Sequence, residues 1–195
     1  MLVHLRRSVV LSVLFVLVCG LAFPLAGTGV SQLFMKHQAD GSLTSNGSTL
    51  IGQDWAPSNG PPMWFQGRPD GTVVTCAPYP SCSKHPDEVF VSGTAQLGPR
   101  SKALEEQTAA LAKQLRAEGI IPTSDLVTTS GSLVDPDISP ADAYAQVGAI
   151  ARDRHLDPAA VRRLVASQVH GPELGFLGAR YVDVLTLNQA LAKLG

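Results

Sequence analysis

Two cysteines outside the longest apolar run are the side chains best placed for chemistry. Cys76 and Cys82 flank a proline-containing turn, and the loop they would close spans 7 residues. In an oxidising compartment two such thiols can pair, with roughly 2 kcal/mol of stabilisation in the chain-entropy model. A zinc site would need two more ligands, and His85 has no second histidine or C-x-x-C pair nearby. The spacing favours a disulfide over a metal site.

The other polar residues form no known catalytic motif. The sequence has no G-x-x-x-x-G-K-[ST] loop to bind phosphates, no G-x-S-x-G and no H-E-x-x-H. The five histidines are scattered, and Asp135, Asp137 and Asp142 lie beside prolines or predicted helix starts, where helix capping accounts for them. We therefore predict that the chain is not an enzyme by itself and holds no metal or firmly bound cofactor.

The charge balance argues against nucleic acid as a partner. The 195 residues carry 15 Lys and Arg against 16 Asp and Glu, for a formal net charge of −1. Such a chain has no basic field to attract phosphate backbones. Its length predicts a single folded domain.

An uncharged stretch near the N-terminus predicts a membrane-spanning helix. No residue from Ser8 to Met35 carries a formal charge. As a helix, residues 8–30 would be about 34 Å long, enough to cross a hydrocarbon core of about 30 Å. We predict a cytoplasmic N-terminus at residues 1–7, a transmembrane helix at residues 8–30 and one folded domain at residues 31–195.

The apolar stretch has two other interpretations. Behind Arg6 and Arg7 it resembles a cleaved signal peptide, but it exceeds the usual apolar core of about 7 to 15 residues and no clean A-x-A site follows. Lipidation of Cys19 is disfavoured because Val18 precedes it where a small residue is expected. An uncleaved, single-pass anchor in the cell membrane is the favoured interpretation.

The charges that flank the stretch predict its orientation. His4, Arg6 and Arg7 precede it, and the first charge after it is Lys36. By the positive-inside rule the N-terminus is cytoplasmic. Residues 31–195, the bulk of the chain, are therefore predicted to be extracytoplasmic.

Small residues in this helix are candidates for packing against another helix. Helices gain little hydrophobic energy from meeting inside lipid, so close packing of small residues has to supply the contact. Gly20, Gly27 and Gly29 are the candidates. The alternative is that Pro24, Gly27 and Gly29 only loosen the outer end of the helix.

The first part of the outer domain is predicted to consist of turns and short strands. Residues 36–100 are rich in Gly, Pro, Ser and Asn, with short apolar pieces between them. Trp55, Trp64 and Phe65 are three large aromatic residues in this region. Capping of a hydrophobic core explains them better than a ligand-binding cage.

The second part is predicted to be mainly helical, so that the domain is α+β. Ser139-Pro140-Ala141-Asp142 combine a hydroxyl cap, a proline in the first turn and a carboxylate three residues after the cap. We expect helices at residues 101–119, from 139 to about 155, from 157 to the Gly-Pro pair at 171–172, and a short last helix capped by Thr186. Residues 126–129 and 181–185 are the expected strands.

Five pieces of sequence behind the N-terminal helix are similar to those of one family. They are residues 39–43, residues 50–53 followed by Trp55, residues 65–69, residues 125–132 with the Asp135-Pro136 and Ile138-Ser139-Pro140 that follow, and residues 182–191. In these pieces the chain resembles KdpC, the C subunit of the Kdp-type, P-type potassium-transporting ATPase. The Asp-Lys-Thr-Gly phosphorylation motif of P-type ATPases is absent. The chain therefore cannot form their aspartyl phosphate by itself.

The resemblance implies that the chain works within a complex. The implied partners are a channel-like, potassium-selecting subunit (KdpA), an ATP-hydrolysing subunit (KdpB) and, in some pumps, a very small helical subunit. The family has been assigned a catalytic-chaperone role that raises the ATP affinity of the pump, with a glutamine proposed to contact the nucleotide. Gln146 is the matching residue, and ATP would be met only through the complex.

Two interpretations of Gln146 and of the whole chain stay open. The predicted topology places Gln146 outside the cell, away from ATP, so transmission through the membrane helix or partner subunits is physically easier, and a packing or solvated role is the alternative. For the chain, the preferred function is an accessory pump subunit whose domain covers the external mouth of the potassium-selecting subunit. The alternative is a free-standing, membrane-anchored extracellular domain that binds a small ligand.

Overall fold

A computed structural model describes residues 2–44, 47–52, 55, 63–69 and 97–194. It divides into two units, Met1–Ser45 and Asn46–Gly195. Cys76 and Cys82 lie outside the described residues. The disulfide between them therefore stays a prediction, as do the predicted boundaries of the cytoplasmic, transmembrane and outer regions.

One long apolar helix dominates the first unit. α1 (Leu2–Phe15) passes into a π-helical segment (Val16–Ala22), which continues as α2 (Phe23–Phe34). The run Val3–Phe34 has 32 residues and is long and apolar enough to cross a membrane by length and composition. It contains the predicted span of residues 8–30 and extends beyond it at both ends.

The π-helical segment ends where a proline begins the next turn. Pro24 lies in the first turn of α2 and has no N–H to donate. Just before it, the N–H of Phe23 donates to the carbonyl of Val18, five residues back, which is the π-helical spacing. The widened turn relieves the clash that a proline ring makes with the carbonyl four residues earlier in a regular α-helix.

The first unit ends in short elements. The helix breaks at Met35, with φ −137°, and is followed by α3 (Lys36–Ala39) and β1 (Leu43–Thr44). Gly41 and Ser42 both have positive φ, which turns the chain between these two elements. Within this unit, the short strand structure predicted after residue 36 is thus present as β1.

The second unit is a helix-rich mixture of helices and short strands. Its elements are β2 (Gly47–Ser48), α4 (Lys102–Ala117), α5 (Ser124–Val127), β3 (Asp137–Ile138), α6 (Pro140–Asp153), α7 (Pro158–Ser167), β4 (Val182–Asp183) and α8 (Val184–Ala192). β3 and β4 pair antiparallel, with Asp137 opposite Asp183 and Ile138 opposite Val182. α6 packs against α7, and α7 against α8. The predicted α+β character is confirmed.

Two hydrophobic clusters hold this unit together. The larger one joins the inner faces of α6, α7 and α8 to the β3–β4 pair and to Phe65, whose side chain is completely buried. Trp55 and Trp64 pack against this cluster, which confirms their predicted role beside the core. The smaller cluster contains Leu115 and Leu126 together with Ile120 and Ala149.

All four helices predicted for the outer domain are present, as α4, α6, α7 and α8, and the two predicted strands are wrong in part. Residues 124–127 form α5 instead of a strand starting at Leu126, because burial of Leu126 in the smaller cluster outweighs its local β-propensity. Strand β4 stops at Asp183, and α8 begins at once. The cap of α8 is Asp183, whose Oδ1 accepts from the Thr186 N–H at 2.6 Å, so the prediction of Thr186 as cap is wrong.

Candidate functional site

The start of α6 sets the position of Gln146. Ser139 and Asp142 form a capping box, in which the Ser139 N–H donates to Asp142 Oδ2 at 3.1 Å and the Asp142 N–H donates to Ser139 Oγ at 3.3 Å. This cap fixes the first turn of the helix. Gln146 lies one turn further on, on the face of α6 that packs into the core, and its side chain is completely buried.

The Gln146 carboxamide makes three hydrogen bonds within the second unit. Its Oε1 accepts from the Gln66 N–H at 2.8 Å, and its Nε2 donates to the Gln66 carbonyl at 3.0 Å. Nε2 also donates to the Asp142 carbonyl at 3.4 Å. A carboxamide has two N–H donors, and both are engaged. The side chain therefore acts in this structure as a bridge to the backbone of Gln66.

A second buried carboxamide repeats this arrangement one residue earlier. Asn188, on α8, accepts from the Phe65 N–H and donates to the Phe65 carbonyl, both at 2.9 Å. Gln146 and Asn188 thus hold the backbones of two consecutive residues. We call this pair the carboxamide clamp. It replaces the hydrogen bonds that a neighbouring strand would make, and it seats the Phe65 side chain in the larger cluster.

The clamped segment positions two tryptophans. The Gln66 side chain donates to the carbonyls of Trp55 and Trp64 at 2.9 Å and 3.1 Å. The two indole rings lie 5.8 Å apart, and the guanidinium of Arg154 lies 4.7 Å from the centre of the Trp64 ring. Displacement of Gln66 would therefore also move both tryptophans.

Arg68 extends the clamped segment towards the loop after α5. Its Nη2 lies 3.4 Å from Thr128 Oγ1 and 3.3 Å from the Thr129 carbonyl. Burial raises the pKa of the Asp125 carboxyl, and the neighbouring Asp142 raises it further, whereas the positive charge of Arg68 lowers it. Arg68 is thus the counter-charge to acidic groups at the start of α5 and α6.

A small cavity lies beside this segment. Its lining includes Gly52, Trp55, Arg68 and Asp135, and its volume is about 10 Å³. That volume holds at most one water molecule, whereas small-molecule sites usually measure about 300 to 1,000 Å³. A Cβ on Gly52 would collide with the backbone of Asp135. Glycine at this position therefore allows the backbone at residue 52 to approach the backbone at residue 135 closely. This cavity is too small for a nucleotide.

The β3–β4 pair carries a carboxyl group with a shifted pKa. Burial raises the pKa of Asp137 to about 6, with additional contributions from Asp183 and Asp135 and an opposing one from His170. Asp183 faces Asp137 across the strand pair. Among the residues that the structure describes, no group of three or more His, Cys, Asp and Glu side chains could hold a metal ion. Burial beside other carboxyl groups within the fold therefore accounts for the raised pKa of Asp137.

The three glycines of the apolar helix are exposed along its length. A Cβ added at Gly27 or Gly29 would meet no other group within 4 Å, and one at Gly20 would meet Val16 Cγ1 at 3.9 Å. The helix surface around Gly27 and Gly29 is open in this structure. These positions thus have the space for close helix packing that the sequence predicts, and the packing itself stays a prediction.

The sequence identified some of these residues and missed others. The family resemblance predicts a nucleotide contact for Gln146, and in the structure its carboxamide contacts Gln66 and Asp142. Its counterpart Asn188 and the clamped Gln66 were not assigned a role, although both lie in pieces that carry the family resemblance. Local sequence contains no signal for these contacts, because Gln146 is 80 positions from Gln66 and Asn188 is 123 positions from Phe65.

Comparison with known proteins identifies similar chains over the full length. The model of the family described as KdpC, the c chain of K⁺-transporting ATPases, matches residues 5–193. A protein of Methylobacterium nodulans is 44% identical and is covered over 100% of this chain and 98% of its own length. Proteins of Bradyrhizobium diazoefficiens and Sorangium cellulosum are 41% and 42% identical over 98% of this chain. All three are named potassium-transporting ATPase KdpC subunits.

Proposed function

The chain belongs to the KdpC family, and from this premise we propose that it works as the membrane-anchored C subunit of a high-affinity, ATP-driven potassium uptake pump. It is an accessory subunit and not the catalytic one. The observation that carries the proposal is similarity to KdpC subunits over essentially the whole chain. The exposed, apolar run Val3–Phe34 supports the anchoring part, because such a surface is stable in lipid and not in water.

The proposed topology has the N-terminus in the cytoplasm and the second unit outside it. The charges before the apolar run support this orientation. A reporter fused after Gly195 should then be active or labelled only on the extracytoplasmic side of the cell membrane. Labelling from the cytoplasmic side would overturn the orientation while leaving the anchor itself intact.

The proposed partners are the subunits of the same pump. We place the apolar helix against the potassium-selecting subunit, KdpA, with the second unit over its external mouth, and KdpB as the ATP-hydrolysing subunit of the complex. Gly20, Gly27 and Gly29 are the proposed contact positions in the membrane. Their lack of side chains lets a neighbouring helix approach closely.

The carboxamide clamp disfavours a direct contact between Gln146 and ATP as the way in which the chain would affect the ATP affinity of the pump. A direct contact between Gln146 and nucleotide would require its three hydrogen bonds to Gln66 and Asp142 to be broken. We therefore propose that any catalytic-chaperone effect is indirect. In this proposal Gln146 keeps the segment around Phe65 and Gln66 in place, and the assembled complex, through the membrane helix or partner subunits, passes the effect to the ATP site.

Co-purification tests the proposed function. A tagged chain, extracted in detergent from cells starved of potassium while pump subunits are expressed, should bring those subunits with it. Recovery of the chain alone would contradict the proposal and favour a free-standing extracellular domain that binds a ligand. A parallel preparation from cells that lack the pump subunits controls for nonspecific recovery.

A further inference from the structure

The π-helical segment leaves one backbone carbonyl of the apolar helix without its helical donor. The carbonyl of Cys19 would accept the N–H of residue 23 in an α-helix and the N–H of residue 24 in a π-helix. The Phe23 N–H donates to the Val18 carbonyl instead, and residue 24 is a proline, which has no N–H. The Cys19 carbonyl therefore lacks the bond that either type of helix would provide.

Side chains of the same helix do not replace that donor. A serine or threonine could reach the carbonyl from three or four residues further on, but those positions hold Ala22 and Phe23. The nearest hydroxyls before and after it belong to Ser12 and Thr28, which are 7 and 9 residues away. At about 1.5 Å per residue, they lie roughly 10 Å and 13 Å along the helix axis. The carbonyl thus depends on a group from outside the helix.

The carbonyl lies at the depth where a missing hydrogen bond is most unfavourable. Cys19 is 11 residues from each end of the predicted span of residues 8–30. At about 1.5 Å per residue it is roughly 16 Å from either end, which is the centre of a hydrocarbon core of about 30 Å. Bulk water does not reach that depth, so a backbone carbonyl there needs a donor from protein or from an isolated water molecule.

The helix surface beside the carbonyl is open to a second helix. Cys19 is exposed, and it is followed by Gly20. A Cβ placed on Gly20 would meet only Val16 Cγ1 within 4 Å, at 3.9 Å. Small residues such as Gly20 and Ala22 let a neighbouring helix approach closely enough for its side chains to reach this backbone.

The chemistry of the membrane interior selects the donor. Lipid tails have no hydrogen-bond donor. Two copies of this chain would cross the membrane in the same orientation, so a second copy would bring to this depth only another Cys19 thiol, which is a weak donor. A charged donor is costly at the centre of the bilayer. The donor that remains is an uncharged hydroxyl or carboxamide side chain on a different transmembrane helix.

We propose that a serine, threonine, asparagine or glutamine side chain of a membrane-embedded subunit of the same pump donates a hydrogen bond to the Cys19 carbonyl. The proposal rests on the proposed function and adds to it a polar contact at the depth of Gly20. Because a hydrogen bond is directional, unlike apolar packing, this contact fixes both the depth and the rotation of the anchor helix against its partner.

Isotope labelling isolates the Cys19 carbonyl in the intact complex. A chain with ¹³C-carbonyl cysteine and ¹⁵N-glycine gives a carbon–nitrogen correlation only at the Cys19-Gly20 peptide bond, because the other two cysteines precede Ala77 and Ser83. When the labelled chain assembles with the other pump subunits in bilayers, this ¹³C resonance should move downfield, as hydrogen bonding requires. The control is the carbonyl of Gly29, which begins the one Gly-Val pair of the sequence and lies within α2. Its resonance should move much less.

The chain alone in the same lipid distinguishes the possible donors. A Cys19 resonance that does not move on assembly overturns the proposal. Downfield movement in the chain alone, when the chain-to-lipid ratio is raised, assigns the contact to a second copy and also overturns it. A resonance already downfield in the dilute chain alone assigns the donor to water, with the same consequence. Failure of the wild-type chain to co-purify instead overturns the proposed function.

Restoring the missing N–H gives the second measurement. In Pro24→Ala the Cys19 carbonyl can accept from residue 24 or from Phe23, so its resonance should no longer move on assembly. Retention of this variant with the pump after a detergent wash should fall roughly threefold, the average effect of one hydrogen bond between membrane helices. Leu25→Ala is the matched control, since it shortens the neighbouring exposed side chain and leaves residue 24 without an N–H. A Pro24→Ala chain that keeps the movement, or a Leu25→Ala chain that loses it, overturns the proposal.

Discussion

Replacement of Gln146 by alanine should destabilise the second unit by about 2 to 4 kcal/mol. The change removes two good hydrogen bonds to Gln66, at 2.8 Å and 3.0 Å, each with a net value of about 1 kcal/mol. It also removes a completely buried side chain, and the cavity that remains adds to the loss. Gln66 is half-buried, so water satisfies part of its freed backbone. The sum is a large share of the roughly 5 to 15 kcal/mol that stabilises a typical domain.

Urea unfolding followed by tryptophan fluorescence measures this loss directly. The chain has two tryptophans, and the carbonyls of both accept hydrogen bonds from the clamped Gln66. Their emission therefore reports the segment that Gln146 holds. Gln114→Ala is the matched control, because Gln114 is exposed on α4 and its replacement should change stability by less than about 0.5 kcal/mol.

Comparison with Asn188→Ala separates a structural role from a nucleotide contact. Asn188 holds Phe65 as Gln146 holds Gln66, so both alanine variants should lower stability and should change the ATP Michaelis constant of the reconstituted pump only slightly and to a similar degree. A large rise confined to Gln146→Ala, with stability and assembly intact, would refute the reasoning. That result would mean that Gln146 leaves the clamp to contact ATP.

Three further predictions concern titration, assembly and thiols. Since the pKa of Asp137 is raised from 3.8 to about 6, the folded state binds the proton more tightly than the unfolded state, and stability should fall as pH rises through this window. Asp137→Asn should remove that slope in urea unfolding at pH 4 to 7 and raise stability at pH 7 by on the order of 1 kcal/mol, after allowance for solvent screening. Replacement of Gly27 and Gly29 together by leucine should lower co-purification with the pump and its potassium-dependent ATPase activity several-fold, without changing the urea midpoint. Cys76 and Cys82 should resist alkylation until a reductant is added, and free reaction of both in the native protein would exclude the disulfide.

Local signals were sufficient for α6 and for the long apolar helix, although they did not identify the Asp183 cap of α8. Ser139 and Asp142 predict the start of α6 because the capping box is formed within four residues. The long apolar helix is equally local, since its composition alone determines it. Leu126 shows where local signals fail. Its neighbours favour a strand, but contact with Leu115 and Ile120 places it in a helical turn.

The candidate site depends on contacts that local sequence does not contain. Nothing around Gln146 indicates that its amide meets residue 66, and nothing around Asn188 indicates residue 65. The family resemblance identifies Gln146 as a candidate functional residue, but the role it implies is contact with a nucleotide. The structure adds the partner groups, and with them a physical reason for having a buried amide at these two places.

The carboxamide clamp also sets an order of events during synthesis. Phe65 and Gln66 leave the ribosome early, yet their hydrogen-bond partners lie 123 and 80 residues later, and Asn188 is in the last helix of the chain. The hydrogen bonds between Phe65 and Asn188 therefore cannot form until almost the entire polypeptide has emerged. Such late, long-range closure slows folding and prolongs the exposure of apolar surface. A chain truncated before α8 would lack Asn188 and would leave the Phe65 N–H and carbonyl without these two hydrogen bonds.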